Sequence, residues 1–188
     1  MIPGLEHIQP LYFDPASRHP YSASDIVECP VPKISALIHV ANHERSLGRA
    51  LESLRPCDQV LVVLHSSTDQ SRKIAKDYGA TVKNAVVGVD DGAYAHDCKH
   101  QWILCLLPNE ALSEALEAAL FEWKQTDPAR TPGYSIAVRK ETSKGWRQLG
   151  RELRLVNRDA VNWTGALPGE RGARAQLKGD ILRFGDDS

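Results

Sequence analysis

Apolar residues fall along this chain in short blocks of two kinds, and their alternation predicts the architecture. Residues 34–41 (ISALIHVA), 59–65 (QVLVVLH) and 102–107 (WILCLL) are near-continuous apolar runs, as expected of strands buried on both faces. Between the first two the spacing turns helical. Leu47, Ala50, Leu51 and Leu54 stand at i, i+3, i+4 and i+7, which predicts a helix that starts at Asn42 as N-cap, runs to about residue 54 and closes at Arg55-Pro56. Ser67 and Gln70 have capping-box spacing and open a second helix, with Ile74, Ala75 and Tyr78 inward and Gly79 as its stop. Residues 80–83 form a third short strand.

Beyond it the pattern loosens. Asp90-Asp91-Gly92 predicts a turn and residues 93–99 a short helix. The run 102–107 ends at Pro108-Asn109, and residues 112–124 follow as an amphipathic helix capped by Ser113, with Leu112, Leu116, Ala119, Leu120 and Trp123 inward. A Pro-rich loop covers 127–133. Residues 133–139 and 152–158 read as strands joined through Ser143-Lys144-Gly145-Trp146, and a Gly-rich connection, taken as flexible, spans 163–172. Residues 176–184 are a last extended piece. Strand, helix, strand, helix, strand is the rhythm of a parallel sheet, so residues 33–184 predict a three-layer α/β/α domain on a mainly parallel sheet. Residues 1–32 carry Pro3, Pro10, Pro15, Pro20, Pro30 and Pro32 among Tyr12, Phe13 and Tyr21, and predict an irregular arm.

Composition narrows the function classes. With 23 Lys plus Arg against 24 Asp plus Glu in 188 residues, no net field attracts nucleic acid or an anionic membrane. No apolar run approaches the ~18 residues a membrane helix needs, and the first thirty residues lack the basic-then-apolar order of a signal peptide, so a cytoplasmic location is the default expectation. Cys29, Cys57, Cys98 and Cys105 show no CxxC pairing, and Cys57 and Cys105 sit in apolar stretches as buried thiols.

In this order the segments resemble glycosyltransferase family 2, the nucleotide-sugar-dependent transferases of GT-A fold, and among them small bacterial members of the lipopolysaccharide-core type. KISALIHVANHERSLGRALESL is similar to that family's opening strand and helix, with Asn42-His43-Glu44-Arg45 at a loop that usually reads Asn-Glu-Glu-Arg. QVLVVLHSSTDQSRKIAKDYGATV is similar to its second unit, with Ser67-Thr68-Asp69 intact. QWILCLLPNEALSEAL is similar to the strand that carries the Asp-x-Asp motif, GYSIAVRK and ELRLVNRDAVNWTG to the acceptor-side strands, and LKGDILRF to the closing strand. The resemblance covers residues 33–184. It implies a nucleotide-sugar or glycan ligand and a Mg²⁺ or Mn²⁺ cofactor, with Asn42, Glu44 and Asp69 near the nucleotide, Asn109 and Glu110 at the metal, and Glu170 as the base.

The departures fall on chemistry. Leu64 stands where the family has an aspartate for uracil or ribose, and Asp91-Gly92 where a basic residue and an asparagine precede the metal strand. Leu107-Pro108-Asn109 replaces Asp-x-Asp, followed by Glu110; Gly169-Glu170 replaces His-Glu, and Arg183-Phe184 replaces His-Tyr. A diphosphate-bridging ion needs hard anionic oxygens, which leucine lacks and asparagine supplies only as a neutral carbonyl. Each survivor also has a structural role open to it. Asn42 can cap a helix, Asp69 and Glu44 favour helix N-termini, and Glu170 has no visible partner. Arg147, Arg151, Arg154 and Arg158 span a turn and a strand; they could bind a phosphate or phosphorylated glycan, and a solvated face is the expectation. His39 and His65 lie near the ends of adjacent strands and could approach each other, although no HxH or HExxH spacing marks a metal site. Two functions stay open: a degenerate member that binds nucleotide, glycan or protein without turnover, and an active transferase with a relocated or metal-independent site using Glu44, Glu110 and Glu170.

Overall fold

A computed structural model describes residues 31–126, 131–169 and 175–185. The predicted arm at 1–32 falls outside them except for its last two residues, as does Glu170. The chain builds β1 (Ile34–Val40), α1 (Glu44–Glu52), β2 (Gln59–Leu64), α2 (Ser71–Asp77), β3 (Thr81–Asn84), a 3-10 helix (Asp91–Asp97), β4 (Trp102–Leu106), β5 (Glu110–Leu112), α3 (Glu114–Trp123), β6 (Gly133–Thr142), β7 (Gly145–Asn157) and β8 (Ala175–Arg183). The eight strands form one sheet in the order β3-β2-β1-β4-β7-β6-β8-β5. The first four are mutually parallel, as the alternating pattern predicted. From β7 onward the sheet is mixed: β7 runs antiparallel to β4 and to β6, β6 is parallel to β8, and β8 is antiparallel to β5.

Side chains sort by strand periodicity onto two faces. Ile34, Ala36, Ile38 and Val40 of β1, Val62 and Leu64 of β2, and Trp102, Leu104 and Leu106 of β4 share a core with Leu47, Ala50 and Leu51 of α1, Ala75 of α2 and Leu116, Leu120 and Trp123 of α3. The opposite face holds Leu37, Leu61, Val63, Ile103 and Cys105, covered by Tyr94, Ala95 and Cys98 of the 3-10 segment and by Trp163 and Leu167. One layer therefore consists of α helices, and the other is thinner, a 3-10 helix with loops. Residues 93–99, predicted as a helix, make only the tighter 3-10 form and start earlier, at Asp91. Within residues 163–169, the described part of the connection predicted as flexible, Trp163 and Pro168 form a bridge and Trp163 Nε1 donates to Arg158 O.

A strand that periodicity missed, β5, dictates the curvature of the sheet. It lies four places from β4, about 19 Å across a flat sheet at ~4.8 Å per strand. The chain from Leu106 to Glu110 can span only about 14 Å even when fully extended. The sheet therefore curls, bringing β5 back toward the end of β4. Arg154 of β7 is the extra residue of a β-bulge, between Leu153 opposite Ser135 and Leu155 opposite Tyr134.

Candidate functional site

Two adjoining cavities open where β1, β2 and β4 end, the edge at which open α/β sheets bind ligands. The first, about 380 Å³, is lined by Asn42, His43, Glu44, Arg45, Ser46, Arg49, Asp69, Phe184 and Gly185. The second, about 300 Å³, is lined by His39, Val40, Ala41, His43, His65, Asp91, Leu107, Pro108 and Asn109. His43 belongs to both, and its buried Nδ1 has no protein partner among the described residues.

The three expected nucleotide contacts converge on the first cavity, where their polar atoms lace two loops together. Asn42 Oδ1 accepts from Thr68 N at 2.9 Å, and Asn42 N donates to Ser67 Oγ. Glu44 bonds the second loop twice: Glu44 N donates to Asp69 Oδ2 at 2.8 Å, and Gln70 N donates to Glu44 Oε2 at 2.9 Å. Asp69 also accepts from Ser71 N and Ser71 Oγ. Burial works to raise its carboxyl pKa, but the Ser71 and Glu44 donors outweigh it and hold the group below the ordinary carboxylate range. Two expectations are corrected here. Asn42 does not cap α1; His43 occupies that position, without a side-chain cap, while Asn42 takes φ 56° and turns its amide across to the neighbouring loop. Ser67 and Gln70 form no capping box, because α2 begins only at Ser71 and Ser67 Oγ donates instead to Val40 O.

Glu110 follows the strand that should carry the metal, and it is turned away from both cavities. Its side chain is fully buried, and each oxygen has two donors: Arg154 Nη2 and Arg183 Nε on Oε1, Leu107 N and Arg154 Nη1 on Oε2, all within 2.9 Å. A carboxylate with two donors on each oxygen has filled its acceptor sites. Arg154 is equally saturated, its Nε, Nη1 and Nη2 donating to Glu152, Glu110 and Cys105 O. The solvated face predicted for the arginine series is wrong at Arg154, which is fully buried, because a β-bulge sets it apart from the strand's alternation and Glu110 neutralises it. Arg147 and Arg151 are exposed as predicted. Asn109 lines the second cavity but donates its amide to Phe184 O at 3.2 Å. Leu64 faces the helix-side core at 3% exposure, away from the cavities. The residues present therefore do not fit a Mg²⁺ or Mn²⁺ ion at the expected place: two apolar side chains, a neutral amide and a saturated carboxylate supply no free anionic oxygen.

What the second cavity does contain is a compact polar group. His39 Nδ1 and His65 Nε2 share a hydrogen bond of 2.9 Å, and Asp91 Oδ1 lies 3.9 and 3.6 Å from those nitrogens. Burial lowers the pKa of His39 to about 4, with His65 adding to the effect and Asp91 opposing it. Asp91 was noted in the sequence as part of a turn and, with Gly92, as a replacement for a basic residue and an asparagine, and the approach of His39 and His65 only as a possibility. The parallel register supplies the rest by placing the two strand ends side by side. Cys57, Cys98 and Cys105 are inert by comparison, their thiols pushed up to about 12 chiefly by burial.

No family model matches the chain. Among curated proteins it is 36% identical over 145 residues to an uncharacterized glycosyltransferase of Rickettsia typhi, covering 72% of this chain and 50% of that protein. A second uncharacterized glycosyltransferase, of Rickettsia bellii, is 37% identical over 89 residues, with 45% and 30% covered. In sequence, then, the chain is similar to proteins named as glycosyltransferases. The chain spans half or less of the length of those relatives. Among solved structures it is similar to S. aureus TarS (TM-score 0.39, 19% identity, 59% of this chain and 22% of that one). It is also similar to glucosyl-3-phosphoglycerate synthase from Mycobacterium tuberculosis in complex with Mn²⁺, UDP-glucose and phosphoglyceric acid (TM-score 0.42, 17% identity, 58% and 43%). Among the described residues no helix is long and apolar enough to cross a membrane.

Proposed function

We propose that this chain is a degenerate glycosyltransferase family 2-like domain that binds a nucleotide-sugar or glycan at the β1–β2–β4 edge without the family's Asp-x-Asp-borne metal chemistry. The observation that carries this reading is the state of Glu110. Both of its oxygens are taken by Arg154, Arg183 and the Leu107 amide, so the one acid retained beside the lost motif serves the interior. Leu107, Pro108 and Asn109 present no carboxylate to the cavity in its place. Binding is supported by the two adjoining cavities, each in the size range of small-molecule sites. The curated relatives, named as glycosyltransferases, support a sugar-transfer ancestry.

The test is calorimetric titration of UDP- and GDP-sugars with and without Mn²⁺, alongside an assay of nucleotide release. The expected result is binding that Mn²⁺ does not strengthen, with no release. Metal-dependent release abolished by Asn109→Ala would overturn the proposal, and so would the absence of any nucleotide-sugar or glycan binding.

A further inference from the structure

We propose that His39, His65 and Asp91 form a binding site for a borderline divalent transition ion, of which Zn²⁺ is the type. The proposal goes beyond ligand binding by the domain and does not depend on it.

The spacing of the three donor atoms carries the proposal. His39 Nδ1, His65 Nε2 and Asp91 Oδ1 form a triangle with sides of 2.9, 3.9 and 3.6 Å. The point equidistant from its corners lies inside the triangle and about 2.0 Å from each, which matches Zn–N and Zn–O bond lengths of about 2.0–2.2 Å. The carboxylate separations discriminate further. At 3.6 and 3.9 Å, Asp91 is too far for a hydrogen bond to either ring, yet it sits at the ligand-to-ligand spacing of a coordinated ion, about 3.4 Å. Only the two histidines are hydrogen-bonded, and one shared proton serves that contact; an ion would take the proton's place and draw in the carboxylate.

The three donors are also held in position before any ion arrives. His39 is in β1, and His65 immediately follows β2, its N donating to Val40 O at 2.8 Å. Asp91 begins the 3-10 helix, whose Asp90 side chain accepts from Gly92 N at 2.8 Å. His39 is 8% exposed, whereas His65 and Asp91 are 30% and 37% exposed, so an ion can enter over them from the second cavity. Two imidazoles and one carboxylate select Zn²⁺ and its neighbours over Mg²⁺, which prefers all-oxygen octahedra. Three protein ligands leave a fourth position, and the cavity supplies room for it.

The test uses the untagged, metal-stripped full chain titrated with Zn²⁺ alone by calorimetry, with Co²⁺ absorption as a spectroscopic readout of coordination. The expected result is one ion per chain, weakened tenfold or more in both His65→Gln and Asp91→Asn, unchanged in His96→Gln, and retained in Asp91→His, which restores a third donor. The Co²⁺ band pattern should be lost with the affinity. Failure of the parent chain to bind Zn²⁺ overturns the proposal, as does binding that either His65→Gln or Asp91→Asn leaves within threefold of the parent. Because no nucleotide is present, failure here and failure of sugar-nucleotide binding are separate outcomes.

Discussion

Replacing Arg154 by methionine should destabilise the protein far more than an ordinary β-strand substitution. The guanidinium is fully buried, and all five of its N–H groups have acceptors: two from Glu110, two from Glu152 and one from Cys105 O. Burial by itself would lower the pKa of Arg154, yet Glu110 and Glu152 more than reverse that and hold it above the ordinary arginine value, so the folded state binds the cation tightly. Methionine keeps most of the hydrocarbon volume and removes the charge. Glu110 then keeps only Arg183 and the Leu107 amide at a position with no solvent access. Removing one partner of a buried ion pair costs about 3–5 kcal/mol when the other is left uncompensated; with Arg183 still on Glu110 the loss should sit at the lower end, ~3 kcal/mol, still a large share of the ~5–15 kcal/mol that holds a domain together. Glu110→Leu should cost a similar amount. The double substitution should recover much of the loss, since replacing both members by hydrocarbon is often neutral. Urea denaturation of the four proteins gives the double-mutant cycle. A loss of under about 1 kcal/mol for Arg154→Met, or simple additivity in the double variant, would refute the saturated-pair reading and return Glu110 to the list of available ligands.

Other expectations follow from local geometry. Gly179 adopts φ 86°, and a Cβ there would lie 2.3 Å from Leu116 N in the first turn of α3. Gly179→Ala should therefore cost about 3 kcal/mol or more by thermal or urea unfolding, whereas Gly79→Ala, with positive φ but open space, should cost only about 1 kcal/mol. Ser113 Oγ accepts from Leu116 N and from Asp180 N, so Ser113→Ala should cost about 1–2 kcal/mol, read from the urea midpoint. His39, with its folded pKa about 4 against 6.5 when unfolded, binds protons more readily once the chain opens. Its contribution is whole above pH 6.5 and shrinks as pH falls toward 4, by about 2 kcal/mol between about pH 7.5 and about pH 5. Urea midpoints measured in a chelator at those two pH values should show that loss, and His39→Phe should remove it.

Much of the fold was legible because its cause is local. Continuous apolar runs marked β1, β2 and β4, the Leu47–Ala50–Leu51 stripe marked α1, and Ser113 marked the start of α3 through the capping bond now seen from Leu116 N. The resemblance implied that Asn42, Glu44 and Asp69 lie near the nucleotide; all three line the first cavity. What they do was misjudged for Asn42, because a cap is a local assignment and the actual partner, Thr68 N, lies 26 residues away.

The sequence by itself determined the alternation that builds the parallel half of the sheet, and the absence of a carboxylate from Leu107-Pro108-Asn109. Periodicity records which residues need burial, and a missing carboxylate is visible without coordinates. Only the tertiary structure decided which carboxylates remain available. Glu110 is spent because the curl of the sheet brings Arg154 and Arg183 to it from 44 and 73 residues away, while Asp91 stands beside His39 and His65 because two parallel strands end side by side under the 3-10 turn. Both facts depend on contacts between distant segments, which no spacing along the chain encodes.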